Sequence, residues 1–465
     1  MKKKKRRHTT AEGEATLLSE KRDLSERSQA RNESWADAGT YSCYQVSGAR
    51  SITRLLQQRS FAKMDKRAHD GTVFNLPMGR AQAGTREHTH TQPAAHINLA
   101  GQALSPLSTS LSDMPEPIKM LYLPETMANW PWPRMINPYY EEVKAASNAW
   151  FRSFNAFKPE SQRAFDKCDF CRLASLAYPW SRKEHLRTGC DLMNVFFVID
   201  EYTDVEDADS CRMMVDIVID ALNNPHKPRP DGEILLGEVT RQFWALAVKT
   251  ASPSSQRHFI ESFTAYLESV VSQAADRDSG VIRDVDSYLA NRRENIGARP
   301  SYVPLELGIE LPDEVFYHPV IVELSIHIAD LIIFDNDLAS YNKEQAHGDD
   351  QHNILTVIMH QYNYDIDKAM AWLADFHAEV ETKFLDGLKR VPSWGPAIDR
   401  QVEEYLLGLA NWPRCNDCWN FESGRYFGSK GLEIQKTRTV QLMPKKVNHD
   451  RDRRREDVDV PLVDI

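Results

Sequence analysis

Asp200-Glu201-Tyr202-Thr203-Asp204 sets three carboxylates at the end of an apolar run, Asn194 to Ile199. Residues four apart on a helix lie one above the other, so Asp200 and Asp204 point the same way. Two carboxylates held together repel, and a cation or a proton settles them. Hard divalent cations such as Mg²⁺ take carboxylate oxygens and keep positions open for water and phosphate oxygens. A second set follows the apolar run Val320 to Phe334. Asn336, Ser340 and Glu344 are spaced i, i+4, i+8 and span about 12 Å of one helical face. All three offer oxygen, which suits Mg²⁺ and not zinc or copper, whose usual ligands are His and Cys. Taken singly, each motif has a plainer reading. The first could be a helix end spilling into an acidic loop, since Glu206, Asp207 and Asp209 follow; the second could be a polar helix end. Together they are far less expected by chance than either alone.

Cations accompany the oxygen ligands. Arg292 and Arg293 precede Glu294-Asn295-Ile296-Gly297, where the glycine lets the backbone turn. Lys343 sits beside Glu344, and Arg425-Tyr426 follows Gly424. Singly these are ordinary surface residues. As a group they offer what phosphate recognition uses: guanidinium forks, an ammonium point charge and a phenol hydroxyl.

The elements that must position these groups are helical. Period-3.6 patterns run over Tyr139–Phe154, Leu186–Thr203, Arg241–Ala274 (one or two helices), Val285–Asn295, Pro319–Asn342, Ile354–His360, Ile366–Val391 and Pro396–Trp412. No run of alternating strands appears, so an all-α domain over residues 116–430 is expected. Pro-rich Leu123–Pro138 reads as an irregular lead-in. Residues 1–115 show no sustained apolar period and are expected to be disordered. Their opening KKKKRR reads as a solvated tail or an anion-binding patch. Residues 431–465, ending in HDRDRRREDVDVP, are expected to be a disordered charged tail.

Composition sets the outer bounds. A net charge of -10 over 465 residues argues against nucleic acid as the main partner. No stretch is long and apolar enough for a stable membrane anchor, and no apolar segment follows the basic start, so a cytoplasmic protein is expected. The seven cysteines are then expected to stay reduced. Cys168…Cys171 and Cys415…Cys418 formally pair as CxxC motifs. More than 240 residues separate them, far from zinc-ribbon spacing, so buried free thiols are the better reading.

DEYTD, NDLASYNKE, Arg293…Gly297 and Arg425-Tyr426, in that order, resemble the class I sesquiterpene synthases of fungi. The stretches MANWPWPRMINPYYEEVKAAS, SLAYPWSRKEHLRTGCDLMNVFFVIDEYTD and RRENIGARPSY are similar to the basidiomycete branch. The resemblance covers Leu121 to Lys430. It implies a class I terpenoid synthase helical bundle around an apolar active-site cavity, three Mg²⁺ ions, and farnesyl diphosphate as substrate. It implies metal binding by Asp200, with Glu201 and Asp204, and by Asn336, Ser340 and Glu344. Lys343 would contact diphosphate. Arg293 takes the position of the pyrophosphate sensor, with Ile296 and Gly297 in the linker and effector positions. Arg425 and Tyr426 match the pair that closes over the leaving group. Two departures stand out: Glu294-Asn295 where a small polar residue such as Thr is expected before Ile-Gly, and Ala339 before Ser340. Neither removes a ligand. The implied reaction is ionisation and cyclisation to a sesquiterpene hydrocarbon or alcohol, by 1,11 closure toward a humulyl or protoilludene-type skeleton. A monomer or homodimer is expected. Phe196, Phe197, Trp412 and Trp419 are candidates to face the carbocation, though ordinary core packing is the better reading of each taken singly. Two rivals remain: a chain-elongating prenyltransferase, which would need a second aspartate-rich motif, and a catalytically silent protein of the same fold.

Overall fold

The computed structural model describes residues 119–445. The expectations for residues 1–115, and for the tail beyond Lys445, lie outside the described residues. The described chain begins with strand β1 (Met120–Tyr122) and is then helical. The helices are α1 (Tyr140–Arg152), α2 (Pro159–Lys167), α3 (Phe170–Ala177), α4 (Lys183–Thr203), α5 (Ala208–Asn223), α6 (Leu236–Ala247), α7 (Pro253–Ser279), α8 (Val285–Asn295), α9 (Ala298–Tyr302), α10 (Asp313–Phe316), α11 (Pro319–His347), α12 (Ile354–Tyr362), α13 (Ile366–Leu388), α14 (Pro396–Glu422) and α15 (Gly431–Thr437). Strand β2 (Thr439–Gln441) closes it.

Helix starts and stops follow side-chain chemistry. Asp207, Ser252, Asp284, Asn353 and Asp365 each cap a helix by accepting a backbone N–H two or three residues on. Pro253 and Pro319 occupy first-turn positions, where no N–H is needed. Gly280 and Gly348 end α7 and α11 in the left-handed conformation. The bundle is built by α11 packing on α13 and α14, α4 on α3, α6 and α1, and α7 on α5 and α8. The two apolar helices that carry the oxygen motifs, α4 and α11, share no substantial packing seam. They are opposite walls, not neighbours. No described helix is long and apolar enough to cross a membrane.

Two expectations are corrected. The helix from Pro396 continues through Pro413 to Glu422 instead of ending at Trp412. Pro413 has no N–H to give the Leu409 carbonyl four residues back. The Trp130 indole donates to the next carbonyl, that of Ala410, at 2.9 Å. The second correction concerns the C-terminal boundary set at Lys430. Residues beyond it form α15 and β2, and β2 pairs antiparallel with β1 with Leu121 opposite Val440. Both of those side chains are buried. Asn342 on α11 donates to the Gln441 carbonyl and accepts from the Met443 amide, each at 2.8 Å. Charge made this segment look like a tail, while its few apolar side chains and its backbone groups dock it.

The Pro-rich lead-in is irregular, as expected, yet well tied. Trp130 and Trp132 pack against Phe384 of α13. Arg414 donates to the carbonyls of Met127, Trp130 and Trp132, backbone acceptors that no ladder satisfies.

Candidate active site

Helix α4 is buried along Leu192–Phe196 and Val198–Ile199, and its acids emerge at its C-terminal end. Asp200 keeps 43% of its side-chain surface accessible, although protein encloses it, and Asp204 is exposed. Burial raises the Asp200 carboxyl above its ordinary value, and Glu201 adds to this against the opposing pull of Arg425. Asp204 is pushed up further: its side chain is open to water, but the surrounding mass of protein still disfavours its charge, and Asp200 lies beside it. The two carboxylates thus stand as a repelling pair on one face, as their four-residue spacing predicts.

On α11, Asn336, Ser340 and Glu344 share one face as predicted. The Asn336 carbonyl oxygen accepts from Arg292 Nη2 at 2.9 Å, and its amide donates to the Tyr426 hydroxyl at 3.0 Å. Burial and nearby Asp337 push the Glu344 carboxyl up to about 7. Asn353, the cap of α12, donates to Ser340 Oγ at 3.3 Å and to Glu344 Oε2 at 2.9 Å.

Arg425 and Tyr426 join the two walls. Arg425 Nη1 donates to Glu201 Oε1 at 2.5 Å and Nη2 to Asp200 Oδ2 at 3.3 Å, while Tyr426 reaches Asn336. Two consecutive residues therefore touch both oxygen motifs across helices that do not pack together. The Arg425 guanidinium lies 5.1 Å from the Phe197 ring centre and 5.8 Å from that of Phe170. Those two rings stack at 3.7 Å, with Trp419 behind them and edge-on to Tyr426. Lys343 faces the same space: burial lowers its ammonium pKa, and Arg425 lowers it further.

The arginine pair on α8 divides differently from the sequence reading. Arg293 is locked in a two-point pair with Asp330, at 2.7 and 2.9 Å. Arg292 reaches Asn336 and Asp337, and its charge is felt at Asp200 and Glu344. Gly297, just beyond, sits at φ +68°, and a Cβ there would lie 2.9 Å from a Phe196 ring carbon. Glycine is therefore required twice over, by backbone conformation and by the approach of α4.

Sequence reasoning missed three participants, Asp337, Asn353 and Phe170, and named a fourth, Arg292, only as one of a pair. Asp337 is buried and accepts from Tyr288, from Arg292 at 2.9 Å and from the Ile354 amide at 2.9 Å. Arg292 was visible in the sequence, but nothing there separated its role from that of its neighbour. Asn353 lies beyond any helical spacing from Ser340, so no periodicity could have found it. Phe170 belongs to a short helix that gave no signal.

The aromatic candidates are placed as follows. Phe196 packs on Phe263 and Tyr266, Phe197 under Arg425, Trp412 on Tyr178 and Tyr302, and Trp419 behind the Arg425-Tyr426 pair. A separate pocket lined by His258, Phe316 and Tyr405 lies at the other end of α7 and holds no residue of the two oxygen-bearing motifs. The six described cysteines are buried and unbridged, as expected.

Residues 191–383 match the model of terpene synthase family 2, C-terminal metal binding, a range that takes in both oxygen motifs. Sesquiterpene synthase 14 of Postia placenta is 70% identical over 355 residues, which are 76% of this chain and all of that relative. Delta(6)-protoilludene synthase 18 of the same fungus is 66% identical, over 74% of this chain and 99% of its own. A Delta(6)-protoilludene synthase of Armillaria gallica is 53% identical, over 71% and 96%. Among solved structures, the linalool/nerolidol synthase of Streptomyces clavuligerus superposes with a TM-score of 0.57 at 19% identity, over 62% of this chain and 98% of that one. Germacradien-4-ol synthase of Streptomyces citricolor gives 0.56 at 21%, over 62% and 96%. At such identity these two speak for the fold alone.

Proposed function

The chain belongs to the fungal sesquiterpene synthases of the terpene synthase family, and from that premise we propose that it ionises farnesyl diphosphate and cyclises the cation, releasing diphosphate. The observation that carries this reading is the bridge made by Arg425 and Tyr426 between the acids of α4 and the Asn/Ser/Glu face of α11. A leaving group bound there would meet oxygen ligands on two sides and cations around it.

The donor set suits a hard divalent ion. All six proposed ligands, Asp200, Glu201, Asp204, Asn336, Ser340 and Glu344, offer oxygen. The raised carboxyls of Asp200, Asp204 and Glu344 are groups that a cation would settle. Among the described residues, no three His, Cys, Asp or Glu side chains cluster to hold an ion. Diphosphate and water oxygens would complete the shell. We assign Mg²⁺, three ions in all, to this site. Bound there, the ions would supply Lewis-acid charge to the leaving diphosphate.

The chain's own groups do the rest. Arg425, Tyr426, Lys343 and an α8 arginine donate to the diphosphate oxygens as negative charge gathers on them. For the α8 arginine the contacts favour Arg292, with the Arg293 of the family pattern as the alternative. Gly297 keeps α8 and α9 close to Phe196. The apolar flanks of α4 and α11 below the ligands exclude water, which would otherwise quench the cation. The Asn/Ser/Glu face, in place of a second aspartate-rich motif, favours cyclisation over chain elongation. The protoilludene synthases among the relatives support 1,11 closure to a protoilludene-type product. We place the reaction in the cytosol.

The test is incubation of purified protein with Mg²⁺ and farnesyl diphosphate, followed by gas chromatography–mass spectrometry. A sesquiterpene with the protoilludene skeleton is expected. No volatile above the enzyme-free control would sink the cyclase reading. A longer prenyl diphosphate on adding isopentenyl diphosphate would favour the elongating rival.

A further inference from the structure

Asn353 looks at first like a helix cap and nothing more. Its Oδ1 accepts from the Leu355 amide at 3.0 Å and so starts α12. Ser, Thr or Asp would do that equally well. None of those three carries the amide donor, and here the amide is fully occupied. Asn353 Nδ2 donates its two hydrogens to the Asp337 carbonyl and to Glu344 Oε2, each at 2.9 Å, and shares one of them with Ser340 Oγ at 3.3 Å. The residue is 0% exposed. It is held in place from α11 as well, since the Ile354 amide donates to Asp337 Oδ2 at 2.9 Å.

We propose that Asn353 is a positioning residue that aims the Ser340 and Glu344 oxygens into the site. The inference rests on the assignment of those two residues as metal ligands made above. An N–H on Oε2 fixes the Glu344 carboxylate plane and leaves Oε1 for a cation. An N–H on Ser340 Oγ uses one lone pair and fixes where the other points. The donor is neutral, so it orients the carboxylate without cancelling the charge that a cation needs. A lysine in its place would compete with the metal. Partners of this kind behind metal ligands typically change affinity by about 10- to 100-fold when removed.

The experiment is Mn²⁺ binding in the presence of inorganic diphosphate, followed by isothermal titration calorimetry and by the free-Mn²⁺ electron paramagnetic resonance signal. Four proteins are compared: wild type, Asn353→Ser, Glu344→Gln and the double variant. Asn353→Ser keeps a capping oxygen, so its thermal midpoint should stay near wild type. Its Mn²⁺ affinity should fall at least about tenfold, with a matching rise in the Mg²⁺ concentration needed for half-maximal turnover. The double variant should lose less affinity than the two single losses combined, because Asn353 acts partly through Glu344 and residues acting through one another are not additive. Wild-type or tighter binding by Asn353→Ser, or full additivity in the double variant, overturns the proposal. If Asn353→Ser does not melt cooperatively, the same measurement on Asn353→Thr, which also keeps a capping oxygen and adds no charge, decides by the same criterion. Glu344→Gln separates the two claims. Unchanged binding in that variant overturns the ligand assignment itself, while weakened binding there beside unchanged binding in Asn353→Ser overturns only the role of Asn353.

Discussion

Successive residues on a helix point about 100° apart, given 3.6 residues per turn, and this is how Arg292 and Arg293 come to have different partners. Arg293 meets Asp330 on its own side of the α8–α11 seam, and Arg292 turns toward Asn336 and Asp337. The two should therefore fail differently. Arg292→Ala is expected to lower kcat/KM by about 100-fold or more, the usual cost of losing one preorganised donor to developing charge. Arg293→Ala should lower the melting temperature, at a cost of about 1 kcal/mol for a pair that is partly open to solvent, and should leave kcat within about tenfold of wild type. Steady-state kinetics and thermal melts on the two variants decide it. A larger kinetic loss in Arg293→Ala would return the diphosphate role to that residue. The identities of both residues are plain in the sequence. Which one faces the site is not, because that depends on the rotation of α8 against α11.

At the level of elements, the site depends on where helices stop. Helix α4 ends at Thr203, and Arg277 of α7 donates to the carbonyls of Thr203 and Glu206 at 3.1 and 2.6 Å. This is the favourable placement for a cation at a helix C-terminus. Helix α8 ends where Gly297 turns the chain into α9. Gly297→Ala would add strain at a positive φ and a Cβ pressed on Phe196, whose ring is backed by Phe263 and Tyr266. A loss of about 1–3 kcal/mol in stability is expected, together with impaired turnover, since α8 carries the arginines. A melt unchanged from wild type would show that α4 and α9 give way more easily than the packing suggests. The helices themselves were largely legible. The apolar periods gave α8 to the residue, and α4, α11 and α13 to within a few residues. Helices α2, α3 and α5 were not read from the sequence, although α12, as short as α2, was: PESQRAFDK of α2 offers few apolar residues, FCRLASLA of α3 is apolar almost all round, and the acids at the start of α5 read as a loop. The far half of α14 was missed because Pro413 reads as a stop, while its continuation is held by tertiary burial of Cys415–Phe421, which no local pattern displays.

Across the whole molecule, a second set of buried ionisable groups lies behind α11, away from the ligands. Asp417 is 4% exposed, and burial, with Asp335 nearby, pushes its carboxyl up to about 6. The sign follows from linkage. A carboxyl whose folded value exceeds its unfolded one favours the fold while both are protonated, and that contribution is lost as pH rises from about 4 through about 6. Above that range the ionised group costs at most about 3 kcal/mol. Asp417→Asn should therefore raise the melting temperature at pH 8 and change it little at pH 4. Equal effects at both values would mean that Arg414 and Arg438, each 3.9 Å away, already neutralise the charge.

The sequence by itself determined the helical class, the two oxygen-bearing helix ends and the family. These depend on residue type and on spacings within one helix, which the chain carries locally. Only the tertiary structure decided that Arg425 and Tyr426 bridge two helices with no substantial seam between them, that Arg292 turns to Asn336, and that Asn353 donates to Ser340 and Glu344. Those are contacts between elements, fixed by how helices rotate and stop against one another, and no local spacing encodes them.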